Sequence, residues 1–319
     1  MNEAVTLGVL GAPVYAYGLS VMLGCWAAIA LLASLSRHQE VERKAAAITA
    51  ALSLPLGFVL ARLLYCLADP AFAPFLSIEN LLQVSSGGFA MYGALLGAAL
   101  AALAGARLAG IRPARMLDFL APALAAFLIP ARLGEGFTAL GISRPLTTPW
   151  LAGSFLALRD AYDAYLRTYL LEALIAACLL VVLLRALKRG KREGQVFLLF
   201  TLLYGVTQTL MESLRYDGHL RFSFIGLQQV LSAALFSLTL IALAIRLLKR
   251  KDAKHGLAIL ALVLIPIILG AIVGVEFLID RSELGKLFSY AQYLLVLVIP
   301  ASLGILLLKT EERFGQAAH

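Results

Sequence analysis

The chain has 319 residues, of which 61% are hydrophobic and only 14% charged, with a mean hydropathy of +0.88. Soluble domains carry about 25% charged residues, so a soluble globular protein is excluded. The net charge of +8 does not signal nucleic acid, because the basic residues cluster in alternate loops between apolar stretches, where they act as topology anchors.

Nine apolar stretches recur, at roughly 14–35, 45–67, 88–110, 116–133, 167–187, 194–214, 226–248, 256–279 and 287–308; each is close to the length of about 20 residues that crosses a bilayer as a helix. The predicted fold class is all-α: a polytopic membrane helical bundle with about nine transmembrane helices. Arg37, Arg43 and Lys44 follow the first span, and Arg107, Arg112 and Arg115 the third. Arg185, Lys188, Arg189, Lys191 and Arg192 follow the fifth, Arg246, Lys249, Arg250, Lys251 and Lys254 the seventh, and Lys309 and Arg313 the ninth. The positive-inside rule then places the N-terminus outside and the C-terminus in the cytoplasm. The start, Met1-Asn2-Glu3-Ala4, lacks the basic region of a signal peptide, so no cleavage is expected.

Tyr15-Ala16-Tyr17-Gly18-Leu19 opens the first span at the outer face, and Arg62 lies toward the outer end of the second as a helix-anchoring charge. An outer arm follows at 68–86, with Pro70, Pro74 and an amphipathic stretch at 75–82 that reads as an interfacial helix. The third span begins in a glycine-rich run, Gly87-Gly88-Phe89-Ala90-Met91-Tyr92-Gly93. Glycines at a helix N-terminus fit an anion site; they equally fit close packing of helices in a membrane. Tyr92 is placed to donate to a phosphate or ester oxygen.

Asp118 anchors the inner end of the fourth span, which ends in Arg132-Leu133-Gly134-Glu135. An arginine at membrane depth costs roughly 2.5–3.5 kcal/mol on insertion scales and marks a functional site by default. Arg132, Arg144, Arg159, Arg167, Arg215 and Arg221 all fall toward the outer side, and none of these six is a lysine. A guanidinium offers the planar fork that suits phosphate, so the outer face is expected to hold a lipid phosphate. The segment 134–165 carries Trp150, Phe155, Tyr162 and Tyr165 and reads as an outer cap with short helices. Arm and cap together would cover a lipid-facing cleft.

Glu172 lies one turn into the fifth span. Gln208 and Glu212, four apart in the sixth, share a helix face, and Arg215 is three residues further on; a structural ion pair at a helix end is the plain alternative. The last two spans carry few polar residues apart from Glu276, which reads as interfacial. Cys25, Cys66 and Cys178 are isolated and read as small buried hydrophobes. No ligand cluster points to a metal, and no cofactor is expected.

The order of these pieces carries a resemblance. Tyr17-Gly18-Leu19, Ala61-Arg62-Leu63-Leu64-Tyr65, Gly87-Gly88 with Tyr92-Gly93, Asp118-Phe119-Leu120-Ala121-Pro122, Arg132-Leu133-Gly134, Glu172, Tyr204-Gly205 with Glu212 and Arg215, and Gln229 with Leu231-Ser232 run collinearly over roughly residues 10–250. This pattern resembles the prolipoprotein diacylglyceryl transferase family. The resemblance implies a seven-span core in 1–250, with 251–319 as two additional helices, in a multi-pass protein of the bacterial plasma (inner) membrane. It also implies an enzyme that moves a diacylglyceryl group from phosphatidylglycerol, or another anionic glycerophospholipid, to the lipobox cysteine thiol of a prolipoprotein, with the signal peptide as second partner. By resemblance Arg132, Tyr92 and Glu212 are catalytic candidates, and Glu135 joins them as a carboxylate that could serve as base. Tyr17, Gly87, Gly88, Gly93, Glu172, Gln208, Arg215, His219 and Arg221 are candidates for binding substrate. Glu135, Glu212 and His219 remain open as the general base.

The chain also departs from that family. After Arg132-Leu133-Gly134 the family continues Asn-Phe-x-Asn-x-Glu, whereas here Glu135-Gly136-Phe137-Thr138-Ala139-Leu140 follows. Gln208 stands where the family has a second arginine, and Arg167-Thr168 replaces a His-Pro-Ser turn. Two other readings therefore stand beside the first: a related transferase with a different acceptor, and a non-catalytic lipid-binding membrane protein on the same scaffold.

Overall fold

The computed structural model describes residues 6–9, 12–69, 77–83, 88–190, 192–217, 220–250, 255–281 and 286–316. Among the described residues, nine helices are long and apolar enough to cross a membrane. They are α1 (Ala16–Leu35), α2 (Glu40–Ala68), α4 (Met91–Ala109), α5 (Pro113–Gly134), α7 (Thr168–Lys188), α8 (Gln195–Leu214), α9 (Leu227–Leu248), α10 (Gly256–Arg281) and α11 (Lys286–Gln316). Two short helices complete the helical set, α3 (Ile78–Leu82) and α6 (Pro149–Ala152). The nine long helices coincide with the nine expected spans, and the chain folds as a multi-pass membrane protein.

The shortest expected span becomes the axis of the bundle. α5 packs against α1, α4, α7 and α8 and has the most enclosed apolar window of the nine, 72% buried. Ala121, Ala123, Ala125 and Ala131 face its neighbours with almost no exposed surface. Such small residues let helix backbones approach closely where lipid offers no hydrophobic drive to associate. α5 thereby delivers Arg132, in its last turn, to the middle of one end of the bundle. At the other end the Asp118 carboxylate accepts from the backbone amides of Gly194 (2.6 Å) and Phe197 (2.9 Å) and so caps the start of α8, in keeping with its expected anchoring role.

α2 and α4 form the tightest helix pair, built on glycines. A Cβ on Gly93 would lie 2.3 Å from the Leu60 carbonyl oxygen, and one on Gly97 would lie 2.6 Å from the Gly57 backbone. Gly93 therefore faces α2, and the expectation that it binds substrate gives way to packing. Gly88 stands at φ +80°, where a side chain would run into Tyr65 and Arg62. Arg62, only 2% exposed, donates to the carbonyls of Asn80 (2.8 Å), Gln83 (3.0 Å) and Gly88 (3.1 Å). It ties the arm back onto α2. The Ser77 hydroxyl accepts from the Asn80 amide at the start of α3. Residues 75–76 of the amphipathic stretch, Gly87 and His219 lie outside the described residues.

The cap differs from the expected short helices. It is an antiparallel sheet in the order β3 (Ile142–Pro145), β5 (Ala164–Arg167), β4 (Ala157–Arg159), with α6 as a single helical turn. Strand pairing satisfies backbone groups that a loop near lipid would leave open. The β4–β5 turn is fixed by Asp160, whose carboxylate accepts from the amides of Tyr162 (2.8 Å) and Asp163 (2.7 Å); those bonds hold its pKa below the usual carboxylate range. Two further hairpins, absent from the sequence reading, join Thr6–Val9 to Ala12–Tyr15 and Arg221–Phe222 to Ile225–Gly226.

Gly93→Val is expected to destabilise the α2–α4 pair by about 1–3 kcal/mol through overpacking, read as a lower thermal midpoint in detergent. Gly274→Ala, where a Cβ meets nothing within 4 Å, should leave the midpoint in place. Equal midpoints for the two variants would remove the packing role.

Candidate functional site

The site forms where α5 and α8 end. Arg132 is 3% exposed and Arg215, the residue that ends α8, is 1% exposed. Between them sit two carboxylates, each engaged through both oxygens. Glu135 accepts from Arg132 Nη1 and from Arg215 Nη2, both at 2.7 Å. Glu172 accepts from Arg132 Nε at 2.8 Å and from Arg215 Nη1 at 2.7 Å. Two guanidiniums from different helices thus share two carboxylates in an apolar surround, where charge-assisted pairs of this kind are strongest.

Polar residues close the ring. Gln208 Nε2 donates to Glu172 Oε2 (3.0 Å) and to Glu212 Oε1 (3.2 Å). Asp217 Oδ2 accepts from Arg215 Nε (3.1 Å) and Nη2 (2.9 Å), and also from the Gly141 amide. Arg221 Nη2 donates to the carbonyl of Arg215. Tyr92 exchanges a 2.6 Å hydrogen bond with Ser232 on α9, and its ring lies 6.0 Å from that of Tyr204. Tyr17, in the first turn of α1, lies within electrostatic range of Glu135, Arg132 and Arg215.

Two donors stay open to a third group. Arg132 Nη2 and the Tyr204 hydroxyl are both buried without a hydrogen bond of good geometry, although the two side chains lie close enough to interact with each other. Buried donors without partners are costly and rare in folded proteins. An anionic oxygen seated here would accept hydrogen bonds from both Arg132 Nη2 and the Tyr204 hydroxyl.

The geometry sorts the residues singled out from sequence. Arg132, Glu135, Glu172, Gln208, Glu212, Arg215 and Arg221 come together, with Tyr92 and Tyr17 beside them. Gly88 and Gly93 serve the α2–α4 junction instead. Of the other arginines, Arg144 pairs with Asp280 at 3.0 Å and Arg159 donates to the Ala152 carbonyl at 2.9 Å, so neither reaches the cluster. Arg132 and Arg215 are clasped by carboxylates, the anions this chain itself supplies at that depth. Glu135 holds a guanidinium on each of its two oxygens. Glu276, expected at the interface, is 4% exposed and bonded to Gln229.

Sequence reasoning gave no role to Tyr204, Asp217, Ser232 or Gly141. Gly141 adopts φ +74°, and a Cβ there would crowd Tyr169 at 2.7 Å and Glu135 Oε2 at 3.0 Å. A glycine shortly after the Arg132 turn was the available signal.

The family model of prolipoprotein diacylglyceryl transferase matches residues 4–249. The chain belongs to that family. It is similar to proteins named phosphatidylglycerol–prolipoprotein diacylglyceryl transferase from several bacteria. The Frankia alni protein is 28% identical over 212 residues, covering 64% of this chain and 56% of the relative. The Bifidobacterium longum protein is 27% identical over 224 residues, 64% of this chain and 71% of the relative. The Lactobacillus acidophilus protein is 26% identical over 199 residues, 59% and 70% respectively. The match thus spans little more than half the length of the Frankia relative. It ends one residue beyond α9, so α10 and α11 lie outside it.

Glu172→Ala is expected to destabilise the protein by about 3–5 kcal/mol, because it strands two buried guanidiniums. Glu172→Gln should cost less, since an amide oxygen still accepts. Denaturation in detergent measures both. A wild-type midpoint for the alanine variant would contradict the shared-carboxylate arrangement.

Proposed function

We propose that this chain transfers a diacylglyceryl group from phosphatidylglycerol to the cysteine thiol of a prolipoprotein, at the outer face of a bacterial plasma membrane. The observation that carries this reading is the buried meeting of Arg132 and Arg215, with Arg132 Nη2 unsatisfied, in a chain that belongs to the transferase family. The basic clusters in alternate loops support the outer placement of the end that holds the cluster.

In the proposed reaction the thiolate sulfur attacks the glyceryl carbon next to the phosphate. A carbon–sulfur bond forms, the carbon–oxygen bond to phosphate breaks, and glycerol phosphate leaves. Negative charge gathers on the departing phosphate. Arg132 takes it through Nη2, and preorganised charge of this kind is usually the largest catalytic term. Arg215 and the carboxylates Glu135 and Glu172 hold the Arg132 guanidinium in place, so no reorganisation is needed as charge develops. The tyrosine pair, Tyr92 and Tyr204, lines the same spot and donates to ester or phosphate oxygens. Glu212, within electrostatic range of both Arg132 and Tyr92, receives the thiol proton, since the thiolate is the competent nucleophile.

The purified protein, given phosphatidylglycerol and a lipobox peptide, is expected to add a diacylglyceryl mass to the peptide and to release glycerol phosphate in equal amount. Arg132→Lys keeps the charge but loses the fork, and should lower the rate by about 100-fold or more. A well-folded wild-type sample that binds lipid and forms no thioether would instead support a non-catalytic lipid-binding role.

A further inference from the structure

Outside the family match, α10 and α11 pack on α9, and α11 also packs on α8. Glu311 of α11 is buried against Gln195, Arg192 and Arg246, whereas Glu276, Asp280 and Tyr290 point at one short stretch of chain near the end of α8. Tyr290 on α11 donates to the Ser213 carbonyl at 3.1 Å. That carbonyl belongs to the last turn of α8, where the helix itself offers no partner. Glu276 on α10 accepts from Gln229 Nε2. The same amide donates to the Tyr293 hydroxyl at 2.7 Å and leans on the Thr209 carbonyl at 3.4 Å. Gln229 Oε1 meanwhile accepts from the Gly226 amide at 3.3 Å. Gln229 therefore knots α8, the start of α9 and both C-terminal helices together, and Glu276 supplies its one charged partner. Asp280, near the end of α10, accepts from Arg144 of β3 at 3.0 Å. Arg144 stacks over the Tyr216 ring at 4.7 Å, and β3 pairs with the backbone at Arg215 and Tyr216.

Three anchors, Tyr290, Glu276 and Asp280, thus converge on residues 209–216. Thr209 and Ser213 lie on the face of α8 next to the one that carries Gln208 and Glu212, about 100° round the helix. The stretch ends in Arg215, whose fork on Glu135 and Glu172 requires the end of α8 to stand at a set height and angle. A carboxylate at membrane depth is costly and is retained where it serves a function; plain association of α10 with α9 could be met by the apolar residues around it.

We propose that Glu276, Tyr290 and Asp280 are positioning residues of the site: from helices beyond the family match, they hold the end of α8 so that Arg215 and Glu212 meet Arg132 in register. This rests on the proposed transfer reaction for its kinetic consequence, though not for its structural one.

The test uses the full chain in phosphatidylglycerol-containing nanodiscs, comparing wild type with Glu276→Ala, Glu276→Gln, Tyr290→Phe and Ile267→Ala, the last on a 60% exposed position of α10. Hydrogen exchange over 209–217 is read beside exchange in α2 and α4. Glu276→Ala and Tyr290→Phe are expected to speed exchange over 209–217 by about tenfold, the scale of losing one hydrogen bond, with α2 and α4 unchanged. Turnover should fall by a similar factor at an unaltered KM for the lipobox peptide. Glu276→Gln, which keeps an acceptor oxygen, should recover most of both, and Ile267→Ala should match wild type. Wild-type exchange over 209–217 in both Glu276→Ala and Tyr290→Phe overturns the inference, as does a rise spread evenly over all helices. If the wild-type protein transfers no lipid, the reaction is at fault, and the exchange data alone decide the positioning role.

Discussion

The site depends on one interaction: two guanidiniums, from α5 and α8, grip the same pair of carboxylates. All four side chains are at least 95% buried. Removing any of them from water is costly, and in such a place Coulomb attraction roughly offsets desolvation rather than adding much stability. What the arrangement supplies is position. It can form only if the ends of α5 and α8, the first turns of α7 and the turn after α5 all arrive at one point. The alanine-lined packing of α5, the glycine at Gly141 and the hydrogen bonds that hold the end of α8 are the conditions for that arrival.

The departures from the family signature take on physical sense at this point. By the resemblance drawn from sequence, Glu135 and Gln208 are departures; in the structure Glu135 is a partner to both arginines, and the Gln208 amide bridges Glu172 and Glu212. Arg132 and Arg215 therefore lie among Glu135, Glu172, Glu212 and Asp217, and Arg132 Nη2 keeps no hydrogen bond of good geometry among the described residues. In the proposed reaction a phosphate would enter a site already balanced by the chain's own carboxylates and would reach Arg132 only through Nη2.

Membrane burial makes these few polar residues unusually informative. A lipid-facing helix can be altered at many positions without consequence, as the exposed leucines and isoleucines of α10 and α11 indicate. A buried hydroxyl or carboxylate cannot, because no water stands ready to replace a lost partner. Arg62, gathering carbonyls from the arm, and Asp118, capping α8 at the opposite end, obey the same rule as the central cluster.

Length and hydropathy alone determined the nine spans, because about 20 apolar residues have one stable way to cross a bilayer. Arg132, Glu172, Gln208, Glu212 and Arg215, which the structure gathers into one cluster, were also legible as candidates, since each is a polar group set in an apolar run. Partnership was not legible. Whether Glu135 serves as a base or as a clasp depends on Arg215 standing beside it, eighty positions along the chain. Whether Gly93 meets substrate or Leu60 depends on which way one helix face turns. Glu276 looked like an interfacial charge until α10 was seen to set it against Gln229. Sequence determines which groups are too polar for lipid to leave alone; only tertiary structure decides which of them satisfy one another, because that choice is made by helix packing at distances the linear order does not encode.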